Sequence, residues 1–588
     1  MLQDRGKIMD SLFGGSGDVQ KRNSFRRGIL GVLALASGIV AATPSCSVIV
    51  DTSTKQCDEQ TACPSGYTCD ASNVCVASSG VTCAKTSDCA NETDICRKDP
   101  GAQSGLCKPI RSPLCQVVEG DYRVDNAFVI GSIHPTTAPA PDDVIGISME
   151  NSIKLAINDL EKTANGLPNP AGQTGVREVV MVGCSDEGLE EKSVEAANHL
   201  IDNVGVQAII GGAFSGIAIK TATEVTIPKG VLFISASGTS PSITQLADKP
   251  AGAPAGLVWR TVPSDNFQAE AIAKYVTQLE NEIRAELALQ ASDKIKVAVL
   301  HKGDAYGTGL KDALQQNLVF NGVPAIDNGA NYILSDYGNP DDVMGNPTKY
   351  GEATSAAITA GAHIVLLFGT GEAITEIFAP IEVGWNTAAY RPRYVFSDAN
   401  FSGALADTVN AESNATARAD WRRRTTGVVP GPQDDDPLYK SFRFSYSSIF
   451  GQGQGDPSIF GAASAYDAAY LLFYAAATVK NGVLSGQNLA VGMTKMSSAA
   501  TEEAEIPAGS SALGKTLNAL SDGTYESIDY SGAFGPLNFD SATGEPAANV
   551  QIFCLADDGT GKAAHQLSGE YYDADTKALA GTPAAACQ

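Results

Sequence analysis

The stretch VQAIIGGAFSGIAIKTATEVTIPKGVLFISASGTSPSIT, residues Val206–Thr244, decides the fold. It contains two apolar runs, Val206–Ile210 and Val231–Ile234, and each run ends in small residues and hydroxyls. Short runs rich in Val and Ile that stop at Gly or Ser are typical of strands buried on both faces of a parallel sheet. The stretch therefore predicts two neighbouring strands of an open α/β sheet.

Hydroxyl side chains follow both predicted strands. Ser215 comes after the Gly211–Gly212 turn, where a helix would begin, and Ser is a favoured helix N-cap. Ser237 and Thr239 follow the second strand. Ligands of open α/β sheets bind beyond the carboxyl ends of the strands, and free amides at a helix start attract anions. We therefore expect a pocket here for a small anionic group, a carboxylate.

Length and charge restrict the class of protein. The chain has 588 residues and a formal net charge of −25. This length is enough for two or three domains. The acidic balance argues against a nucleic-acid partner, because phosphate backbones are met by Lys and Arg.

The N-terminus has the pattern of an export signal. Four basic residues between Lys21 and Arg27 precede the apolar run Gly28–Ala42, which is too short to span a membrane. Cys46 follows, which predicts a lipoprotein signal peptide over residues 1–45, a lipid anchor on Cys46 and a tether over residues 46–56. The segment Thr43–Ser45 departs from the usual residues before a lipidated cysteine, so plain secretion with cleavage near Ala42 is the alternative.

Eight of the 13 cysteines lie between Cys57 and Cys107, in two copies of four. Such segments have few large apolar residues and are held together by disulfides, which form in oxidising compartments. The gaps of five residues differ from the tight pairs of structural zinc sites. We therefore predict a disulfide-rich stalk over residues 57–115, with the pairing within each copy left open.

From residue 116 onward, predicted strands and helices alternate, which indicates parallel sheets with helices on both faces. There are more units than one doubly wound domain needs, so two lobes are expected. The polar stretch Asp407–Pro437 is expected to be a loop, with the basic run Trp421–Arg424 on its solvated surface. After Asp540 we expect a turn, the strand Asn549–Leu555 and a polar tail.

Seven motifs occur in the order found in the type I periplasmic binding proteins of the Leu/Ile/Val-binding kind, and the chain resembles that family over roughly residues 126–555. They are Ile133–Ala138, Ile209–Gly212 with Ser215, Ser235–Pro241, Trp259–Gln268, Asp304–Gly309, Tyr466–Ala468 and Gly535–Asp540. The resemblance implies two Rossmann-like lobes with parallel sheets joined by three crossovers, preceded here by the disulfide-rich segment. Lobe 1 would cover about 116–262 and 430–530, and lobe 2 about 263–429 and 531–588.

The resemblance also implies binding residues. Ser215 would bind a ligand carboxylate, Ser237 and Thr239 would contact an amino-acid head group, Tyr306 would pack on or bond to the ligand, and Asp398 would pair with an α-ammonium. Each residue has a structural alternative: a helix cap for Ser215, a turn for Thr239, lobe packing for Tyr306 and a turn cap for Asp398.

Two departures from the family concern Phe214 and the cysteines. Phe214 stands where some members have a cysteine, and it would form an apolar wall of the pocket. Cys184 is expected to pair with Cys115, and Cys554 with Cys587.

No catalytic or cofactor motif is present: H-E-x-x-H, G-x-S-x-G, a Walker A loop and G-x-G-x-x-G are all missing from the sequence. We therefore expect no enzyme, no cofactor and no metal. The expected function is an extracytoplasmic solute-binding protein that delivers an amino-acid-like ligand to an ABC permease and is held at a membrane by its lipid anchor. The alternatives are a ligand-sensing module of the same fold and a surface lipoprotein without ligand.

Overall fold

The computed structural model describes residues 67–69, 75–77 and 81–587, apart from 170–173, 343, 388, 433, 452 and 481. The predicted signal peptide, Cys46 and the tether lie outside the described residues. The chain divides into two compact units, Met1–Ala77 and Ser78–Gln588. In the first unit, the strands Tyr67–Cys69 and Cys75–Ala77 pair antiparallel.

Two large sheets organise the second unit. In hydrogen-bonded order, the strands of the first sheet are Val258–Arg260, Leu232–Ser235, Ala208–Gly211, Phe128–His134, Val179–Ser185 and Val117–Glu119. The strands of the second sheet are Tyr332–Asp336, Val297–His301, Ile364–Phe368, Arg393–Phe396, Thr425–Pro430, Val550–Asp557, Ala563–Asp573 and Ala578–Gly581. The first five strands of each sheet are parallel, as expected for strands that alternate with helices.

Helices cover the faces of both sheets. The α-helices are Asp142–Ala164, Glu190–His199, Ser215–Thr221, Ile227–Lys229, Pro241–Thr244, Asp265–Glu286, Ala305–Asn317, Tyr350–Ala360, Ala379–Gly384, Gly403–Ala411, Ala415–Arg424, Pro437–Phe450, Ala462–Ala477, Gly486–Met493 and Ser510–Asp522. The π-helical segments Leu200–Val204, Ala222–Thr226 and Ala373–Phe378 adjoin four of them. The helix Ala462–Ala477 is buried along its whole length, which explains its almost entirely apolar sequence.

The chain passes between the two sheets three times, through residues 261–264, 431–436 and 547–549. The helix Asp265–Glu286 after the first passage packs into the core of the second sheet, and the helix Ala462–Ala477 after the second passage packs into the core of the first. The two sheets are therefore joined by three connections, the number that the resemblance to the family implied.

The last passage between the sheets occurs later than residue 530, which is where the sequence-based expectation placed the boundary between lobe 1 and lobe 2. Tyr530, Phe534 and Leu537 all belong to the core of the first sheet. The chain joins the second sheet only at Val550. The apolar residues after residue 530 give no indication in the sequence of which of the two cores they fill.

The stretch Asp407–Pro437 is not a loop, which corrects the sequence-based expectation. It contains most of the helix Gly403–Ala411, the helix Ala415–Arg424 and an inner strand, Thr425–Pro430. Arg424 is only 5% exposed, and it binds the buried carboxylate of Glu382 at 2.7 Å. The sequence pattern predicts a solvated surface for this basic run because the buried partner of Arg424, Glu382, lies 42 residues away in the sequence and no local pattern shows the pair.

The polar tail is also more ordered than expected. Ala563–Asp573 and Ala578–Gly581 form the last two strands of the second sheet. The disulfide Cys554–Cys587 ties the C-terminal segment to this sheet, as predicted. Half-buried antiparallel strands alternate polar and apolar residues, and this pattern resembles a polar coil when it is read without its partner strands.

The second copy of the cysteine repeat is part of the main unit and not a separate stalk. Its disulfides are Cys83–Cys96 and Cys89–Cys107, so these cysteines are not available as metal ligands. Ile95 packs into the same apolar cluster as Leu200, beside the first sheet. The predicted disulfide Cys115–Cys184 is confirmed and joins the end of this segment to a strand of the sheet.

Replacing Arg424 by Met should reduce the free energy of unfolding by about 3 kcal/mol or more, because Glu382 would stay buried without its main counter-charge. Arg423→Met is the matched control: this side chain is 65% exposed, and its loss should change stability by about 0.5 kcal/mol or less. Urea unfolding curves measure both values. Equal effects of the two substitutions would contradict the buried ion pair.

Candidate functional site

A cleft with a volume of about 640 Å³ lies beyond the carboxyl ends of strands from both sheets. All five residues predicted to bind a ligand line it: Ser215, Ser237, Thr239, Tyr306 and Asp398. Three of them follow strands of the first sheet, and two follow strands of the second. The fold therefore brings together residues that are up to 183 positions apart in the sequence; their roles in binding stay predictions.

The first wall of the cleft is built on a glycine turn. Gly212 has φ +70°, and a Cβ there would lie 2.7 Å from the Cβ of Ala218, so only glycine fits. The helix begins at Ser215, and Phe214 occupies the N-cap position without a capping side chain, which corrects the expected cap role of Ser215. The Ser215 hydroxyl accepts a hydrogen bond from the Ser240 amide at 3.1 Å. Its own proton is therefore available for an anion in the cleft.

Arg260 holds the second loop of this wall in place, a role that sequence reasoning did not predict. The side chain is 1% exposed, and its Nη1 donates to the carbonyls of Thr239 at 3.0 Å and Ser240 at 2.9 Å. Its Nη2 donates to Glu545 and to Thr244. In the sequence, Arg260 is distinguished only as one residue of the Trp259–Gln268 motif. Its carboxylate partner lies 285 residues away, so no local pattern reveals the pair.

The second wall carries a tyrosine and an acid. The helix Ala305–Asn317 is capped by Asp304, whose side chain accepts from the Gly307 amide at 2.8 Å. This cap places Tyr306 in the first turn, where its hydroxyl donates to the Asp398 carboxylate. Asp398 is 3% exposed and follows the strand Arg393–Phe396. The two side chains therefore form one hydrogen-bonded unit at the floor of the cleft.

A second buried acid, Asp265, lies beside Asp398 and was not predicted as a site residue. Burial, and then repulsion from Asp398, hold the pKa of Asp265 well above its usual value. Burial also raises the pKa of Asp398. Oδ1 of Asp265 accepts from Gln268 at 2.7 Å, whereas Oδ2 has no hydrogen-bond partner in the described chain. Two buried acids with an unused acceptor favour a cation nearby.

Aromatic side chains form the apolar part of the cleft. Phe214 lines it, where the sequence predicted an apolar wall, and Phe401 and Phe460 line it as well. His565 is another lining residue, and burial lowers its pKa to about 4, so its ring is neutral near pH 7. The cleft thus combines a polar floor with room for an apolar or aromatic group.

These features define a class: a two-sheet α/β protein with an interlobe cleft for a small molecule. The family model described as periplasmic binding protein matches residues 128–560, and the chain belongs to this family. Family membership implies an exported protein of the cell envelope, and it is consistent with the expected lack of catalysis. Among the helices of the described residues, none is both long and apolar enough to cross a membrane.

Solved structures share the fold at low identity. One is the branched-chain amino acid transporter substrate-binding protein LivJ of Streptococcus pneumoniae with isoleucine, at 16% identity, 75% of this chain, 99% of that chain and TM-score 0.51. Another is a solute-binding protein of an ABC transporter from Rhodopseudomonas palustris with 3,4-dihydroxybenzoic acid, at 17% identity, 76% of this chain, 98% of that chain and TM-score 0.52. They confirm the type I periplasmic binding protein fold.

Curated relatives match a shorter part of the chain. The Leu/Ile/Val-binding protein BraC3 of Rhizobium johnstonii is 30% identical over 34% of this chain and 47% of its own length. The Leu/Ile/Val-binding protein homolog 3 of Brucella melitensis is 30% identical over 34% of this chain and 46% of its own. The chain therefore matches less than half the length of these relatives.

The buried acids make the stability of the protein depend on pH. A carboxyl group whose pKa is raised by folding destabilises the folded state once the pH exceeds its value in the unfolded chain, about 3.9. The penalty grows as the pH rises towards the folded pKa. Asp265→Asn removes this penalty and keeps an acceptor for Gln268. The gain should be about 1 kcal/mol or more and larger at about pH 8 than at about pH 5.

Melting temperatures of both proteins, measured across that range without ligand, test the prediction. The control is Asp435→Asn, at an exposed position. Parallel curves for wild type and Asp265→Asn would show that Asp265 is not strained by its burial.

Proposed function

We propose that this protein is an extracytoplasmic solute-binding protein that captures a small amino-acid-like ligand in the cleft and delivers it to an ABC permease. The observation that carries this proposal is the opposition of hydroxyls on one wall to buried acids on the other. Ser215 offers a hydroxyl proton, and Asp398 carries a carboxylate in a buried setting. A zwitterion would satisfy both at once.

The proposed head-group binding follows from the two walls. The ligand carboxylate would accept from the Ser215 hydroxyl and from backbone amides that begin its helix, with Ser237 and Thr239 beside it. The ligand ammonium would lie against Asp398 and replace the proton that burial favours there. A charge-assisted pair of this kind is stronger when water is excluded.

The two-lobe arrangement supplies a way to exclude that water. Lobe 1 would hold the first sheet and lobe 2 the second, and the three connections would act as the hinge. Closure would move Tyr306 and Asp398 towards Ser215 and complete the contacts around the ligand. Because each wall belongs to a different sheet, a ligand that touches both walls stabilises the closed state by its differential contacts.

The side chain of the ligand is less restricted than its head group. The rings of Phe214, Phe401 and Phe460 line the cleft, so a branched aliphatic or an aromatic side chain fits this chemistry. The neighbour from Rhodopseudomonas palustris holds an aromatic acid, so aromatic acids belong in a ligand panel beside amino acids.

Ligand binding should be visible as thermal stabilisation. An amino acid present at about 100 times its Kd stabilises the folded state by about 2.7 kcal/mol. Ser215→Ala and Asp398→Asn should each weaken binding about tenfold or more, because each removes a hydrogen bond to a charged group. A thermal-shift panel of amino acids and aromatic acids identifies the ligand, and isothermal titration calorimetry gives the affinities.

Matched controls are Ser242→Ala and Asp435→Asn, at exposed positions that do not themselves line the cleft. Unchanged affinity in Ser215→Ala and Asp398→Asn would refute the binding mode. A lack of stabilisation by every compound would favour the surface lipoprotein without ligand, and binding without a transport phenotype on deletion would favour the sensing module.

We also propose that Cys46 anchors the protein to a membrane through a lipid, with residues 46–56 as a tether. The support is the basic and apolar pattern before Cys46 and the envelope location implied by the family. Cys46→Ser should abolish incorporation of labelled fatty acid and move the protein from the membrane fraction to the soluble fraction. A wild-type protein that is soluble and starts near residue 43 would support plain secretion instead.

A further inference from the structure

A second cavity, of about 590 Å³, lies at the opposite end of the second sheet from the cleft. Its lining includes His363, Arg393 and Arg424. These residues stand at or just before the amino ends of the strands Ile364–Phe368, Arg393–Phe396 and Thr425–Pro430. The two cavities share no lining residue within the described chain. The second cavity is therefore a separate place in the fold.

Its charged lining differs from that of the cleft. Four arginines line the second cavity together with two acids, Glu286 and Asp420. The cleft, in contrast, is lined by six aspartates and the single arginine Arg443. The four guanidinium groups are paired with four acids, Glu382, Asp420, Glu282 and Glu286, so this wall is close to neutral in a chain with a net charge of −25.

Three of the arginines share only two carboxylates. Arg424 binds Glu382 at 2.7 Å and Asp420 at 2.8 Å, while Arg391 binds the same Glu382 at 2.9 Å and Arg423 the same Asp420 at 2.8 Å. This group of five side chains carries a net positive charge. Within the described chain, Arg391 and Arg423 each contact a carboxylate through one terminal nitrogen. A guanidinium has five N–H donors, so both groups keep donors for a further anion.

A flat, neutral aromatic wall lies beside these arginines. The rings of His363 and Tyr390 stack at 4.4 Å with an angle of 9° between their planes, and Trp385 also lines the cavity. Nδ1 of His363 accepts from the Lys296 amide at 3.0 Å, and burial lowers the pKa of His363 to about 4. The imidazole is therefore neutral near pH 7. Stacked neutral rings offer a surface for another planar ring.

We propose that this cavity binds a small ligand in which an anionic group is joined to a planar ring. Arg391 and Arg423 bind the anionic group with their remaining N–H donors. Arg424 fixes the two carboxylates that position them, and the ring packs against Tyr390, with Trp385 tilted by 60° beside it. Arg391 and Arg423 are 40% and 65% exposed, so a ligand reaches them from solvent. The site is independent of the proposed solute-binding function.

Titration calorimetry on the whole protein with four probes separates the two parts of the proposal. 5′-AMP and benzoate carry both a ring and an anionic group, inorganic phosphate lacks the ring, and adenosine lacks the anionic group. We expect 5′-AMP, benzoate or both to bind more tightly than phosphate and adenosine. Phosphate binding as tightly as the ring-bearing anions would overturn the aromatic part, and no binding by any probe at millimolar concentration would overturn the whole proposal.

Substitutions assign the binding to this cavity. Arg391→Ala and Arg423→Ala should each weaken the binding about tenfold or more, whereas Lys562→Ala, which removes an exposed cation elsewhere, should leave it unchanged. Arg391→Lys keeps the charge but loses the planar set of N–H donors of the guanidinium, so an intermediate loss of affinity is expected. Binding that is lost in Asp398→Asn but kept in both arginine variants would place the probe in the cleft and refute the site.

Discussion

A buried guanidinium, that of Arg260, is the interaction on which the geometry of the cleft depends. Its donors are met by the carbonyls of Thr239 and Ser240, by the hydroxyl of Thr244 and by Glu545. A buried cation is tolerated only when it is paired and hydrogen-bonded, so each of these partners is held in one place. The loop that carries Thr239 is thereby fixed by a residue that does not itself line the cleft.

The same contact joins the loop to the connections between the sheets. Arg260 ends a strand of the first sheet, and its amide donates to the Gly544 carbonyl at 2.9 Å, close to the last passage of the chain. The Asp265 amide, just after the first passage, donates to the Thr239 carbonyl at 2.8 Å. A change in the angle between the sheets would therefore be transmitted to the loop through packed, hydrogen-bonded groups. The first and last connections between the sheets and the loop that carries Thr239 therefore belong to one hydrogen-bonded structure.

Electrostatics divides the second sheet into two ends. At the carboxyl ends of its strands, Asp398 is buried with Asp265 beside it, and among the residues that the structure describes no arginine forms an ion pair with it. At the amino ends, Arg424 is buried and neutralised by Glu382 and Asp420. The buried carboxyl groups of Asp398 and Asp265 would be stabilised by a cation from a ligand, whereas the buried charge of Arg424 is already balanced within the protein. This difference supports the proposed zwitterion in the cleft, whereas the anion proposed for the opposite cavity depends on the exposed Arg391 and Arg423.

The parallel α/β class, the neighbouring strands around Gly211 and Ser235, and the pairing of Cys115 with Cys184 and of Cys554 with Cys587 could all be predicted without the structure. These features depend on local apolar runs, on turn residues and on an ordered series of motifs that the chain shares with its family. Ser215, Ser237 and Thr239 were predicted from strand ends, which meet at one edge of a sheet, whereas Tyr306 and Asp398 were implied only by the resemblance to the family.

Which charges are buried depends on three-dimensional packing and could not be predicted from local sequence. The pKa of Asp265 is raised by burial and by Asp398, which follows a distant strand. Arg424 is buried because it forms an ion pair with the buried Glu382. The second copy of the cysteine repeat packs on the main unit through Ile95, which belongs to an apolar cluster beside the first sheet. The energy of a buried charge or apolar side chain is set by its neighbours in space, and their positions are not encoded in any local pattern.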